Sequence, residues 1–218
     1  IAHNATIFPA SIFDTTHGPI AIHPGATVRP GATLIGPVSI GPGSTVLDKA
    51  LVKAHTAVGP VCKVAGEIGG TIIQGYSNKG HDGHLGDSWL GEWVNLGAGT
   101  TNSNLLNTYG EVTAVAEPKG GRERTGETFF GCVLGDHVKT AIGTRIMTGS
   151  IVHTGAMWAA TAPIAGCVDR YAWATDAGVK AYRTDRFLDV LRTSMGRRKI
   201  EPSEAYTARV RALAEITG

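Results

Sequence analysis

The sequence predicts an all-β fold: a parallel β-helix assembled from hexapeptide repeats and followed by a C-terminal helical segment. Two observations point there, a run of aliphatic residues at a strict interval of six and a change of composition after residue 170. A third agrees with them: glycine makes up 30 of 218 residues, about twice the usual share, as expected of a chain that turns often.

The interval of six is occupied in succession by Ile22, Val28, Leu34, Ile40, Val46, Val52, Val58 and Val64. Four residues after each comes a mostly small side chain: Ala26, Ala32, Val38, Ser44, Ala50, Thr56, Cys62 and Ile68. A period of six matches neither the 3.6 of an amphipathic helix nor the alternation of a two-sided strand. It suits short strands that each point one aliphatic residue inward before turning a corner. Gly25, Gly31, Gly36, Gly41, Gly43, Gly59, Gly86, Gly91, Gly97 and Gly135 are expected at those corners, where positive φ excludes most side chains.

The rhythm returns at Leu90 and Leu96 and again at Leu134, Ile146 and Val152, with Thr140 in the aliphatic place between them. Residues 103–128 lose it and carry Lys119, Arg122, Glu123 and Arg124 beside Gly120 and Gly121, so they are expected to form an excursion loop. The β-helix domain is thus expected over 1–169 and the helical extension over 170–218. Within the extension, 182–198 and 203–216 are nearly free of glycine and read as two helices, with Thr184 or Ser203 as capping residues. Ten Lys or Arg against six Asp or Glu make the extension +4, whereas residues 1–169 carry −2. Such an excess suits either a solvated helix surface or attraction of a phosphorylated ligand.

A net charge of +2 and 42% hydrophobic residues describe a folded chain. No basic stripe interleaved with aromatics offers itself to nucleic acid. Neither a stretch of about 18 apolar residues nor a leader sequence is present, so the expected location is the cytoplasm, with no membrane. Cys62, Cys132 and Cys167 are odd in number and form no C-x-x-C pair, which points to reduced thiols rather than a disulfide framework or a thiolate zinc site. The chain opens on Ile1 rather than Met, as a piece of a longer protein would.

Chemistry is expected where the hexads break, at Tyr76-Ser77-Asn78-Lys79-Gly80-His81-Asp82-Gly83-His84. An imidazole titrating near neutrality can accept the proton of an attacking amine or hydroxyl, which makes His81 a candidate general base. Glu67, fourteen residues earlier and close to one coil away, is a candidate to orient it. Three histidines from neighbouring coils converging on zinc, as in γ-class carbonic anhydrases, is a competing reading, although that family's paired histidines are absent. Lys79 is placed to offer a phosphate-binding charge, and Trp89 and Trp93 to pack coils or subunits.

The run Gly80-His81, Leu85-Gly86-Asp87, Val94-Asn95-Leu96-Gly97-Ala98-Gly99-Thr100 and Asn104 is similar to a known family. It resembles the left-handed β-helix acetyltransferase domain of bifunctional N-acetylglucosamine-1-phosphate uridylyltransferase/glucosamine-1-phosphate acetyltransferases, in particular a divergent bacterial branch of sugar nucleotidyltransferase-like proteins. The likeness covers roughly residues 20–160, with 67–104 its specific part. It implies a left-handed helix, a homotrimer, and acetyl-CoA and a sugar phosphate bound between adjacent prisms. It further implies that His81 is the base and Glu67 its acidic partner, with Asn95, Asn104, His84 and Lys79 on the substrate. Ala98, through its backbone N–H, then lies at the thioester, with Thr140 and Arg145 also on the acetyl-CoA side and no metal in the transfer step. Three positions depart from the family pattern: Gly69 replaces a lysine, His84 a tyrosine and Leu105 a second tyrosine. Arg29 echoes a family arginine but lies too far upstream of Glu67 to match it.

The expected activity is transfer of acetyl to the amine of an amino-sugar phosphate such as glucosamine 1-phosphate. An N-terminal nucleotidyltransferase domain would lie outside this chain. The alternatives are a non-catalytic trimerisation or ligand-sensing module, and a zinc hydratase of the γ-carbonic anhydrase kind.

Overall fold

A computed structural model describes residues 1–216, so the last two residues of the expected extension lie outside the described residues. The chain forms the left-handed parallel β-helix, about nine turns long, with two helices after it. The hexad aliphatics become three inward columns. Val28, Val46 and Val64 line the first face, Leu34, Val52 and Ile68 the second, and Ile22, Ile40, Val58, Ile73 and Leu90 the third, all buried. The third face is an eight-stranded parallel sheet from Ile20–Ile22 to Cys167–Val168.

On the first face Val28 pairs with Val46 and Val46 with Val64, a turn of eighteen residues. Val64 then pairs with Lys79 after only fifteen, and Asn78 bridges to Asn95 after seventeen. Asn95 bridges to Lys139 after forty-four, because residues 103–128 leave the coil in between. That excursion is not structureless. It holds an antiparallel hairpin, Thr113–Val115 against Arg122–Arg124, fastened to the coil where His153 Nε2 meets the Ala116 carbonyl at 2.9 Å and Arg170 meets Glu117 at 3.4 Å.

The solenoid also runs past the expected boundary at 169. Ala172–Thr175 joins the first face in parallel, and Gly178–Ala181 closes its edge antiparallel. Helix α1 spans Thr184–Gly196 and α2 spans Glu204–Glu215. Ser203 caps α2 as expected, its hydroxyl accepting from the Tyr206 N–H at 3.1 Å. Thr184 does not cap α1: it is the first helical residue, after an Arg183 that makes no side-chain cap.

The glycines are explained differently from the sequence expectation. Gly25, Gly31 and Gly43 do have positive φ, but Lys49, Val61, Tyr76, Trp93, His137 and Tyr171 adopt the same conformation at other corners. Most of the remaining expected corner glycines are there because successive coils approach too closely for a side chain. A Cβ on Gly41 would lie 2.6 Å from the Gly59 carbonyl, and one on Gly97 2.4 Å from that of Ala141.

One corner column governs how the helices attach. Tyr76 stacks on Trp93 with centroids 4.3 Å apart, and the His137 ring follows at 6.2 Å. The next corner is Gly155, and Phe187 of α1 enters the gap, meeting His137 at 5.7 Å and Tyr171 at 4.9 Å. Leu188, Leu191 and Met195 of α1 and Val210 of α2 complete this second core. Helix α1 is thereby laid alongside the first face.

Candidate active site

The strand Asn78–Lys79 and the residues after it carry most of the candidate chemistry, at the corner between the first and second faces. Outward from the first face stand Lys63, Asn78, Asn95 and Lys139 in register, with the Asn78 amide donating to Asn95 Oδ1 at 3.1 Å. Helix α1 faces them across a cleft of about 620 Å³ whose far wall includes Thr193, Ser194, Arg197 and Arg198. Among the described residues Lys63, Lys139, Arg197 and Arg198 have no carboxylate within salt-bridge distance. Asp189 is the sole acidic residue on the wall, so the cleft attracts anions. Burial alone pushes Lys139 down to about 8.

His81 is exposed and belongs to the wall of this cleft and of a second, more open one of about 450 Å³ that also takes in Asp48, Ala98 and Gly99. No hydrogen bond among the described residues occupies the His81 ring or the Ala98 N–H. The Ala98 carbonyl accepts from Gly143 N at 2.7 Å, which anchors this corner to the next coil.

The second face holds a separate cluster. Strand Glu67–Gly69 pairs with His84–Gly86, so Glu67 lies directly opposite His84, and its Oε1 stands 3.4 Å from His84 Nδ1 and 3.2 Å from Lys53 Nζ. The expected orienting partner of His81 is therefore engaged elsewhere. Fourteen residues fall three short of the seventeen that separate paired positions at this level of the second face, so the strand register puts Glu67 against the residue three places further on. Gly86 leaves room for both the His84 ring and the Asn104 amide, since a Cβ there would lie 2.6 Å from His84 Nε2 and 2.7 Å from Asn104 Nδ2. Asn104 in turn donates to Asp87 at 2.6 Å.

Two expected ligand contacts face inward. Lys79 is only 2% exposed and its ammonium donates to the carbonyls of Ala65 and His81, so it offers no charge to a phosphate at the surface. Thr140 is likewise buried, with its hydroxyl paired to Thr100 Oγ1 at 2.9 Å inside the coil, out of reach of a cofactor. Arg145 remains exposed on the second face, its guanidinium donating to the Thr161 carbonyl. Trp93 is buried in the aromatic column, whereas Trp89 stands half exposed on the third face. Where the resembled family carries a lysine, at Gly69, the Lys53 side chain of the preceding coil lies overhead: a Cβ at Gly69 would lie 3.2 Å from Lys53 Cβ. Sequence reasoning missed Lys53, Lys63 and Lys139. Counting one coil from Gly69, Asn78 or Asn95 would have found them once the irregular coil lengths were known. Among the described residues no three His, Cys, Asp or Glu side chains are grouped to hold a metal ion.

No established family profile matches the chain. A curated relative, the bifunctional sugar-1-phosphate nucleotidylyltransferase/acetyltransferase of Sulfurisphaera tokodaii, is 35% identical over 83 residues. That match takes in 38% of this chain, which spans about a fifth (20%) of the relative's length. Among solved structures, a polysialic acid O-acetyltransferase shows 12% identity and a TM-score of 0.46, with 81% of this chain and 85% of that one covered. A hexapeptide transferase family protein from Anaplasma phagocytophilum shows 15% identity and a TM-score of 0.39, with 95% and 92% covered. The UDP-N-acetylglucosamine acyltransferase of Francisella novicida shows 14% and 0.36, with 93% and 72% covered.

This chain is a hexapeptide-repeat left-handed β-helix protein. Within that fold the cationic cleft depends on a helix packed against one corner, and the polar cluster on a short coil that sets Glu67 opposite His84.

Proposed function

We propose that the protein is an acyltransferase that moves an acetyl group from acetyl-CoA to the amine of an amino-sugar phosphate of the glucosamine 1-phosphate kind. The observation that carries the reading is the position of His81, an imidazole on the shared wall of two clefts, one of them rich in unpaired cations. The name of the curated relative, matched across 83 residues, supports the same class.

In this reading the phosphates of CoA lie among Lys63, Lys139, Arg197 and Arg198. The amine nitrogen attacks the thioester carbonyl while His81 takes its proton. The unpaired N–H of Ala98 stabilises the oxyanion, and the C–S bond then breaks to release CoA as its thiol. Asn95 and Asn104 hold the sugar, and Lys53 takes the phosphate-binding part left open at Gly69. Arg145 stays on the donor side. We also place the site between subunits of a homotrimer in the cytoplasm, with a nucleotidyltransferase domain or partner acting on the same sugar phosphate.

One observation favours a second assignment of the base. Glu67 orients His84 rather than His81, and an imidazole held by a carboxylate is the usual form of a general base. Release of thiol from acetyl-CoA, measured with a panel of amino-sugar phosphates, tests the activity. His81→Ala is expected to lower kcat by about 10²–10⁴-fold with the fold intact. Loss on His84→Ala with His81→Ala unaffected would transfer the role to His84. No thiol release with any amine would refute the acyltransferase reading.

A further inference from the structure

A lysine inside the solenoid has no counterpart in the other coils. The inward column of the first face runs Val28, Val46, Val64, Lys79, Leu96, and the four aliphatic members are buried like Lys79 itself. A buried ammonium costs free energy unless its donors are satisfied, so a specific demand for hydrogen-bond donors must exist at this level.

The corner of the preceding coil supplies that demand. In most coils, four residues separate the first-face and second-face strands, as Leu47, Asp48, Lys49 and Ala50 do between Val46 and Leu51. The first carbonyl of such a corner accepts from the N–H three residues on. Arg29 O accepts from Ala32 N at 3.3 Å, Leu47 O from Ala50 N at 3.2 Å and Gly97 O from Thr100 N at 3.0 Å. After Val64 only Ala65 and Gly66 remain before Glu67, so the residue that would donate is missing. The Ala65 carbonyl accepts from Lys79 Nζ instead, at 3.2 Å.

The same ammonium donates to the carbonyl of His81. Residues 80–83 otherwise form an irregular bend whose Gly83 has φ +122, and no turn hydrogen bond of the kind above closes it. We propose that Lys79 is a positioning residue: its ammonium ties the main chain of His81 to the truncated corner of the coil below and so holds the imidazole at the wall of the two clefts. This inference rests on the acyltransferase reading for its consequence in turnover, whereas the anchoring itself does not depend on turnover.

Lys79→Met keeps the length and apolar stem but removes every donor, and Lys79→Gln keeps a donor on a shorter arm. The assay is acetyl-CoA with glucosamine 1-phosphate, alongside thermal unfolding. Lys79→Met is expected to lower kcat about 10- to 100-fold, the usual effect of a misplacement near 1 Å. KM for acetyl-CoA should change less than about twofold, and Lys79→Gln should recover part of the rate. A purely structural lysine would instead lower the melting temperature and leave kcat of the folded fraction unchanged, and that result would overturn the proposal. Backbone amide order parameters of His81 and Asp82 in the unaltered protein provide the second test. Values near about 0.85 are expected, and values below about 0.6 would show that nothing holds the bend. These need no turnover, so failure of the anchor and failure of the acyltransferase reading are separable.

Discussion

Phe187→Ala tests whether the cationic cleft exists only because α1 is docked. Phe187 is 2% exposed and fills the gap that Gly155 leaves in the corner column, with edge contacts to Tyr171 at 4.9 Å, Tyr182 at 5.5 Å and His137 at 5.7 Å. Truncating a buried phenylalanine costs about 3–5 kcal/mol. That loss falls on a core of eight buried side chains joining the helices to the solenoid, while the three inward columns of the β-helix are untouched. Docking should therefore weaken by about 10²- to 4 × 10³-fold without unfolding the coils, since each 1.4 kcal/mol is tenfold. Helix α1 carries Arg197 and Arg198 at its end, so their loss from the cleft should raise KM for acetyl-CoA and leave the far-ultraviolet signature of the β-helix in place. Limited proteolysis read by mass spectrometry should show new cleavage confined to residues 176–216, alongside the altered KM. An alanine variant with unchanged cleavage and unchanged KM would refute the claim that this contact builds the cleft.

Joint neutralisation of Lys63, Lys139, Arg197 and Arg198 should raise KM for acetyl-CoA more at low salt than at high, whereas Arg122→Ala with Arg124→Ala on the remote hairpin should not; steady-state kinetics at two ionic strengths decides. His137 is buried with Nε2 on Tyr206 at 2.7 Å and Nδ1 unpaired, and desolvation followed by the nearby Lys139 charge pushes it down to about 3. Because the unfolded chain binds that proton more readily, the stabilisation is complete above about pH 6.5 and is lost as pH falls toward 3. Melting temperature should fall across that window, and His137→Phe should flatten the slope. Gly97→Ala should destabilise by more than about 2 kcal/mol, because its Cβ would meet Ala141 backbone at 2.4 Å; chemical denaturation measures this.

The hexads determine the β-helix and most of the side chains that form its core, because nearly every inward position makes the same demand for an aliphatic group, with Lys79 and Thr140 as buried exceptions. Ile22 through Val64 are buried as that argument requires, and Leu90, Leu96, Leu134, Ile146 and Val152 rejoin the columns after their interruptions. What lies side by side on the outside is a different matter, since it depends on the length of every coil. The two-residue corner before Glu67 and the four-residue corner before His84 make that second-face turn seventeen residues, which sets Glu67 beside His84 instead of His81, while the fifteen residues from Val64 to Lys79 turn Lys79 inward where a surface cation was expected. The same arithmetic hid Lys53 over Gly69 and Lys139 beside Asn95, the latter forty-four residues away. The corner column of Tyr76, Trp93, His137 and Tyr171 has no periodic signature, because the corners that hold it are separated by unequal stretches of chain. Local sequence sets what a residue prefers to bury. Only the packed coils decide which residues face one another, because in a solenoid a change in the length of one turn moves every later side chain relative to its neighbours.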